Sequence, residues 1–284
     1  MTTKSFLQTT FVCGALTCMS LQGCSDKKTM PQVEISSIHS DTVVYLKPGN
    51  KTSPSCHVEI NFAYLKPRAE EDSLSQQINK QLQRITFGTN YMTNKPEEAV
   101  SAFKNRNCST YVKETTSFYE ADLKDGVEPE RMTSWYTYEY NISSEIKTSL
   151  DSILNYNVTN YEYTGGAHPN TYSTWANINS HTGKVITKSE IFANGTDQEI
   201  IGLITKYLLK EVNFRLETDT IKSVQDLWDN GILLDVDLYV PENFLIEEDG
   251  VRFLYNRYDI APYVMGDFQL KIPYTEIKKL MKMK

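Results

Sequence analysis

The sequence predicts an α+β protein with two domains, in each of which helices pack on an antiparallel sheet. Three observations predict this class. Polar and apolar residues alternate between residues 56 and 65, so that Val58, Ile60 and Phe62 share one face of a strand. Between residues 74 and 85, apolar residues recur every three or four positions, as on one face of a helix. Strand-like and helix-like segments are grouped rather than strictly alternating, which favours antiparallel sheets.

The amino terminus has the pattern of a bacterial lipoprotein signal. Lys4 precedes an apolar run over residues 11–21, and the run ends in Leu21-Gln22-Gly23-Cys24. The run is shorter than the roughly 20 apolar residues that span a bilayer, which favours cleavage over retention. We therefore predict a signal peptide over residues 1–23, lipidation at Cys24 and a polar tether over residues 24–32. An ordinary secretory signal with a chance cysteine is the alternative.

The lipid anchor predicts an extracytoplasmic protein attached to the membrane of the cell envelope. Ser25, rather than an acidic residue, follows Cys24, which favours the outer membrane, on either its periplasmic or its surface face. The full chain has 29 Lys and Arg against 36 Asp and Glu, a net charge of −7. This charge argues against nucleic acid, which binds cationic surfaces, and favours a cationic partner. Simple solubility is the alternative reason for the charge.

The five cysteines become two in the mature chain. Cys13 and Cys18 leave with the signal peptide, and Cys24 carries the lipid. Cys56 and Cys108 remain as an even pair in an oxidising compartment, so we predict that they form a disulfide. Two buried free thiols are the alternative.

The first predicted domain covers residues 33–155. Strands are expected at residues 33–46 and 56–65, followed by a helix that starts near residue 74 and ends at Gly88. A second helix is expected from about residue 94, with Pro96 in its first turn. Its predicted buried side carries Val100, Phe103, Tyr111 and Phe118. Tyrosine-rich alternation predicts two further strands at residues 133–146 and 153–163.

The second predicted domain covers residues 156–284. A strand at 171–179 turns at Gly183, and a short helix follows at 188–192. Two helices are expected at 197–212 and 221–228. The remaining segments predict a hairpin that turns at Asp249-Gly250, a strand at 268–272 and a small helix from Tyr274.

Two groups of motifs in the second half resemble one family. They are Gly165-Gly166-Ala167-His168-Pro169-Asn170 with Trp175-Ala176-Asn177-Ile178, and Tyr258-Asp259-Ile260-Ala261-Pro262-Tyr263 with Ile272-Pro273-Tyr274. The second half is similar to the C-terminal domain shared by the lysozyme-sensing anti-sigma factor RsiV and the peptidoglycan deacetylase PdaC, domain of unknown function 3298. The first half is similar, less distinctly, to the domain that usually precedes it, domain of unknown function 4163.

This resemblance implies an extracytoplasmic binding region, which in RsiV-type proteins recognises lysozyme, a cationic protein. The chain departs from both types. A lipoprotein signal stands where RsiV-type proteins have a cytoplasmic segment and a transmembrane helix, so no signalling across the membrane is implied. The separate deacetylase domain of PdaC-type enzymes has no counterpart here, and its metal chemistry is not implied either.

The sequence contains no recognisable catalytic motif. The patterns Gly-x-Ser-x-Gly, His-Glu-x-x-His, a phosphate-binding glycine loop and Cys-x-x-Cys are all missing. We therefore assign no catalytic residue, no metal site and no cofactor. The candidate binding residues are Gly165, Gly166, His168, Pro169, Tyr258 and Tyr263.

His168 and the tyrosines each have two interpretations. The His168 imidazole either contacts a ligand from its loop or satisfies backbone groups within the fold, and the second interpretation is favoured because no acid or nucleophile is paired with it by a motif. The 18 tyrosines and three tryptophans form either an aromatic ligand-binding face or cross-strand packing, and packing is favoured.

These features agree best with a lipid-anchored binding protein of the cell envelope. Its ligand is expected to be a lysozyme-like protein or a cell-wall glycan such as peptidoglycan. The first alternative is a peptidoglycan- or polysaccharide-active enzyme with its site at the 165–169 loop. The second is a structural envelope lipoprotein, which predicts an exposed apolar patch and no deep pocket.

Overall fold

The structure is a computed structural model that describes residues 34–69, 72–150 and 152–282. Residues 1–33, with the predicted signal peptide, the lipidation site Cys24 and the whole predicted tether, lie outside the described residues. Among those that are described, no helix has the length and apolar character needed to cross a membrane.

The first part of the fold is a six-stranded sheet with helices on one face. Its strands are β1 (Ile35–Tyr45), β2 (Ser55–Leu65), β3 (Tyr138–Leu150), β4 (Ile153–Tyr163), β5 (Asn170–Asn179) and β6 (Val185–Ile186), in that spatial order. Between β2 and β3 the chain forms α1 (Ser73–Phe87), α2 (Pro96–Lys124) and α3 (Pro129–Tyr136).

The second part is a three-stranded antiparallel sheet with its own helices. Its strands are β7 (Phe244–Ile246), β8 (Gly250–Tyr255) and β9 (Phe268–Pro273). Its helices are α4 (Lys188–Ile191), α5 (Asp197–Arg215), α6 (Val224–Asp229) and α7 (Tyr274–Ile277). The mixed α+β class and the mainly antiparallel sheets predicted from the sequence are confirmed.

Each part has its own hydrophobic core. In the first, the even-numbered side chains of β2 and β4, such as Ile60 and Tyr156, are buried against α1 and α2. In the second, Ile204 and Leu208 of α5 pack on the β7–β9 sheet with Phe253. The six-stranded sheet continues through residue 155, where the sequence placed the domain boundary, because β4, β5 and β6 pair with the strands before them.

One strand prediction is wrong, and one strand pair departs from the antiparallel pattern. Residues 133–136 were expected in a strand but form the end of α3, because Pro129 starts a helix at its first position and Met132 is buried beneath it. The sheet also has one parallel pair, β2 with β3. A parallel pair needs a long crossover, and the helical segment from α1 to α3 supplies it.

Candidate functional site

The 165–169 loop joins β4 to β5 through two glycines in left-handed conformations. Gly165 has φ of +81° and Gly166 has φ of +110°. A Cβ on Gly165 would collide with the carbonyl oxygen of Trp135, the penultimate residue of α3. The Tyr163 hydroxyl donates a hydrogen bond of 3.2 Å to the Gly166 carbonyl. The loop therefore needs glycine both for its dihedral angles and for its close packing on α3.

The loop presents His168 to an aromatic residue from the other part of the fold. The His168 ring is exposed and stacks on Tyr263, with centroids 4.2 Å apart and planes at 23°. Tyr258 lies 5.7 Å from the same tyrosine ring, and the Arg257 guanidinium lies 5.0 Å from its centroid. We call His168, Arg257, Tyr258 and Tyr263 the aromatic cluster. The structure thus brings together the loop and both tyrosines that the sequence singled out.

The backbone of Tyr258 has an unfavourable left-handed conformation. Its φ is +67° and its side chain is 51% exposed. Non-glycine residues rarely adopt positive φ, and such conformations concentrate at functional sites. The turn is fixed by Asn256. Its side-chain Oδ1 accepts a hydrogen bond from the Ser173 backbone N–H at 2.8 Å, and its backbone N–H donates to the Asp259 carboxylate at 2.7 Å. The turn is therefore built on β5, and it points an aromatic ring at solvent.

His168 is not arranged as half of an acid–base pair. With the proton on Nδ1, its ring donates to the Pro169 carbonyl at 3.1 Å. Within the described ranges, no carboxylate forms a hydrogen bond or ion pair with the ring. The contact with the Pro169 carbonyl agrees with the interpretation that His168 satisfies a backbone group, and contact of the exposed residue with a ligand stays a prediction. The geometry suits recognition by stacking rather than proton transfer.

The face of the six-stranded sheet opposite the helices is polar. Paired residues of neighbouring strands point to the same side, so the odd-numbered residues of β1, β2 and β3 share this face. It carries four carboxylates against one lysine: Asp41, Glu59, Glu139 and Glu145 against Lys147. We call the surface formed by the odd-numbered residues of β1, β2 and β3 the acidic face. All of these side chains are at least partly exposed.

Hydrogen bonds orient the side chains of the acidic face. The His57 Nε2 lies 2.7 Å from Asp41, and the Asn141 amide donates to Glu59 at 3.0 Å. The acidic face continues onto β4 at Tyr161, which pairs with Asn141. The pKa of the Tyr161 phenol is raised, first by burial and second by the nearby Glu139 carboxylate. The acidic face therefore leads towards the aromatic cluster along one side of the sheet.

The remaining predicted sites are placed as follows. Cys56 and Cys108 are both free thiols, so the predicted disulfide is not present. Cys56 is fully buried, and burial together with the neighbouring Cys108 raises its pKa to about 12. Among residues 34–69, 72–150 and 152–282, no group of three or more His, Cys, Asp or Glu side chains is positioned to hold a metal.

Comparison with protein families assigns both parts of the chain. A family model described as "Deacetylase PdaC" matches residues 50–171, and one described as "Protein of unknown function (DUF3298)" matches residues 189–275. Residues 50–171 are thus similar to the PdaC family and residues 189–275 to the DUF3298 family. The resemblance seen in the sequence is therefore confirmed, with PdaC in the place given to domain 4163.

Two solved structures are similar to this chain over most of its length. The crystal structure of a DUF3298 family member from Bacteroides fragilis is 27% identical, with a TM-score of 0.79, and the match covers 89% of this chain and 95% of that one. That of a DUF3298 family protein from Pseudomonas aeruginosa is 16% identical, with a TM-score of 0.60, and the match covers 89% and 96%. The second likeness shows the fold alone. No curated protein matches the chain significantly.

Sequence reasoning missed part of this candidate site. Arg257 was not singled out, although it is adjacent to Tyr258. The acidic face was missed as well, although its signal was available. The same alternation that places Val58 and Ile60 in the core places His57 and Glu59 on the opposite face.

Proposed function

We propose that this protein is a lipid-anchored, extracytoplasmic binding protein that recognises a cationic, lysozyme-like protein. The aromatic cluster and the acidic face together form the binding surface. The observation that carries the proposal is the exposed stack of His168 on Tyr263, beside a strained and exposed Tyr258. Exposed aromatic side chains next to charged ones are typical of protein interfaces.

Charge supports a cationic partner. Four carboxylates and one lysine on the acidic face give that side of the sheet a negative potential, in agreement with the net charge of −7. Complementary charge raises association rates more than it lowers dissociation rates, and salt screens it over about 8–10 Å. The aromatic cluster would then supply the contacts that persist at physiological salt.

The test measures retention of the mature protein on an immobilised cationic lysozyme at low and physiological salt. We expect Glu59→Gln/Glu139→Gln/Glu145→Gln to weaken low-salt binding about tenfold or more. The matched control is Glu97→Gln/Glu114→Gln/Glu120→Gln on the exposed side of α2, which removes the same charge from the other side of the sheet. The control should bind like the wild type.

A second variant tests the aromatic cluster. Tyr258→Gly removes the ring and also relieves the positive φ, so we expect weaker binding without loss of folding stability. No retention of the wild-type protein at either salt would remove the proposal. Equal losses in the acidic-face and control variants would show that only net charge matters.

A further inference from the structure

A cavity of about 220 Å³ lies between the two sheets, away from the aromatic cluster. One wall comes from two adjacent rows across β3, β4 and β5. The first row is Glu145, Asn157 and Trp175, and the second contains Lys147 and Asn155. Glu145 and Lys147 are exposed, so the cavity opens to solvent at this rim.

The opposite wall comes from the three-stranded sheet. Glu247, Arg252 and Gln269 line it. The two walls are fixed to each other, because the Asn155 side-chain amide donates to the Ile246 carbonyl at 3.0 Å. The cavity is therefore a built part of the fold rather than a gap between loops.

Three buried polar atoms of the cavity wall have no hydrogen-bond partner among the described residues. They are Oδ1 of Asn155, Oδ1 of Asn157 and the indole Nε1 of Trp175. Asn155 is 7% exposed and Trp175 is 6% exposed. The bond from Asn155 Nδ2 to Ile246 fixes the orientation of that amide, so its Oδ1 is held as an acceptor. Leaving such buried groups unpaired destabilises a fold, which indicates that something satisfies them.

The charged groups around the cavity are already paired with one another. Glu247 accepts from Arg252 Nε at 2.8 Å and lies 3.0 Å from Lys271 Nζ. Lys147 lies 2.7 Å from Glu145. A charged ligand would have to break one of these pairs, whereas a neutral one would not. A molecule that pairs all three free groups must donate hydrogen bonds to two amide oxygens and accept one from an indole N–H.

We propose that this cavity binds one neutral, hydroxyl-bearing molecule about the size of a single sugar ring. A hydroxyl group both donates and accepts, so a few hydroxyls on one carbon skeleton satisfy all three atoms. The volume equals that of about seven waters, which is below the range of drug-sized sites and suits a ligand of about ten non-hydrogen atoms. Glu145 belongs to both the acidic face and the rim of this cavity, but the argument for the cavity does not depend on the proposed binding of a cationic protein.

The experiment follows the indole N–H resonances of the mature protein by NMR. The chain has three tryptophans, and Trp135 and Trp228 are exposed on helices, so their signals are internal controls. Loss of one peak in Trp175→Phe identifies the reporter. Glucose, N-acetylglucosamine and glycerol are titrated as neutral probes, with acetate and glutamate as charged ones. We expect a saturable shift of the Trp175 peak with at least one of the two sugars, and none with the charged probes.

Two variants link the shift to the cavity. Asn157→Ala removes one unpaired acceptor and should weaken binding about tenfold, as the loss of one hydrogen bond implies. Asn194→Ala, in an exposed turn, should leave binding unchanged. A Trp175 peak that no sugar shifts, or that a charged probe shifts more strongly, would overturn the proposal, with ordered water as the occupant in the first case. Tyr258→Gly should not alter this titration, so its result is independent of the lysozyme experiment.

Discussion

The loop of the aromatic cluster depends on one glycine more than on any side chain. Gly165 and Gly49 have the same φ of +81°, but only Gly165 lies against another backbone, that of Trp135. The two positions therefore separate the cost of a left-handed conformation from the cost of a steric collision. This separation turns a qualitative statement about glycine into a measurable difference.

We expect Gly165→Ala to lower the free energy of unfolding by about 3 kcal/mol, since the added methyl must displace the loop or α3. Gly49→Ala should cost only about 1 kcal/mol, the penalty of the positive φ alone. Urea denaturation of both variants measures the difference. Equal losses would show that the collision with Trp135 is relieved without cost.

The wall of the cavity predicts a dependence of stability on pH. Burial alone raises the pKa of Glu247, but hydrogen bonds from Arg252 and Lys271 outweigh it and hold that pKa below its ordinary value. A lowered folded-state pKa stabilises the fold above the unfolded value of about 4.3, and this contribution disappears as the pH falls through the folded value.

Glu247→Gln should therefore flatten the decline of the unfolding midpoint between about pH 5 and pH 2. It should also lower the stability at neutral pH by about 1–2 kcal/mol, because Arg252 loses a charged partner. Thermal melts across this range test both effects. The control is Glu145→Gln, which breaks the exposed ion pair between Glu145 and Lys147. Exposed pairs of this kind contribute little to the free energy of unfolding. A decline as steep as that of the wild type would contradict the assignment to Glu247.

At the scale of elements, the buried Asn177 side chain binds β7 to the six-stranded sheet, in addition to the hydrogen bond from Asn155 to the Ile246 carbonyl. The Asn177 amide donates to the Phe244 carbonyl at 2.9 Å, and its Oδ1 accepts from the Ile246 amide at 2.8 Å. Asn177 thus replaces the strand neighbour that β7 lacks on this side. It joins the two parts of the fold through hydrogen bonds rather than through apolar packing alone.

Asn177→Ala should lower the free energy of unfolding by about 2–4 kcal/mol, because two buried backbone groups of β7 are left without partners. Asn170→Ala on the same strand, at an exposed position, should change it by less than about 0.5 kcal/mol. Hydrogen exchange should also accelerate across 244–246 in the first variant only. Unchanged exchange there would show that packing alone fixes β7.

Periodicity predicted most elements, and its failures have physical causes. The alternation at 133–136 resembled a strand, but a proline at a helix start and burial of Met132 decided for α3. Phe118 was expected on the buried side of α2, yet it is 65% exposed, because the buried residues in this part of the helix are Tyr111, Thr115 and Tyr119, spaced four apart. The parallel pairing of β2 with β3 could not be read from either strand, since it depends on where a crossover of helices returns.

The motifs predicted the position of the aromatic cluster better than its contacts. The 165–169 loop and the 258–263 segment were chosen separately, and the structure stacks one on the other. The cavity was not predictable, because its walls come from six strands and its evidence is three atoms without partners. No pattern in a linear sequence reports an unsatisfied hydrogen bond.

At the scale of the whole molecule, the two remaining cysteines differ in how well the fold protects them. Both are free thiols in the structure, and burial followed by the neighbouring Cys108 raises the pKa of Cys56 to about 12. The thiolate is the reactive form, so we expect alkylation of the native protein to modify Cys108 faster than the fully buried Cys56. Peptide mass mapping after timed alkylation measures both rates. Equal rates in the folded protein would contradict this expectation.

The central claim is that the aromatic cluster and the acidic face are the surface that contacts a cationic protein. Hydrogen exchange of the mature protein, with and without a cationic lysozyme, tests it most directly. We predict slower exchange in peptides that cover the 161–172 and 256–266 segments and the edges of β1 to β3, with no change in α1 and α2. Protection confined to the helices, or no protection anywhere, would contradict the claim.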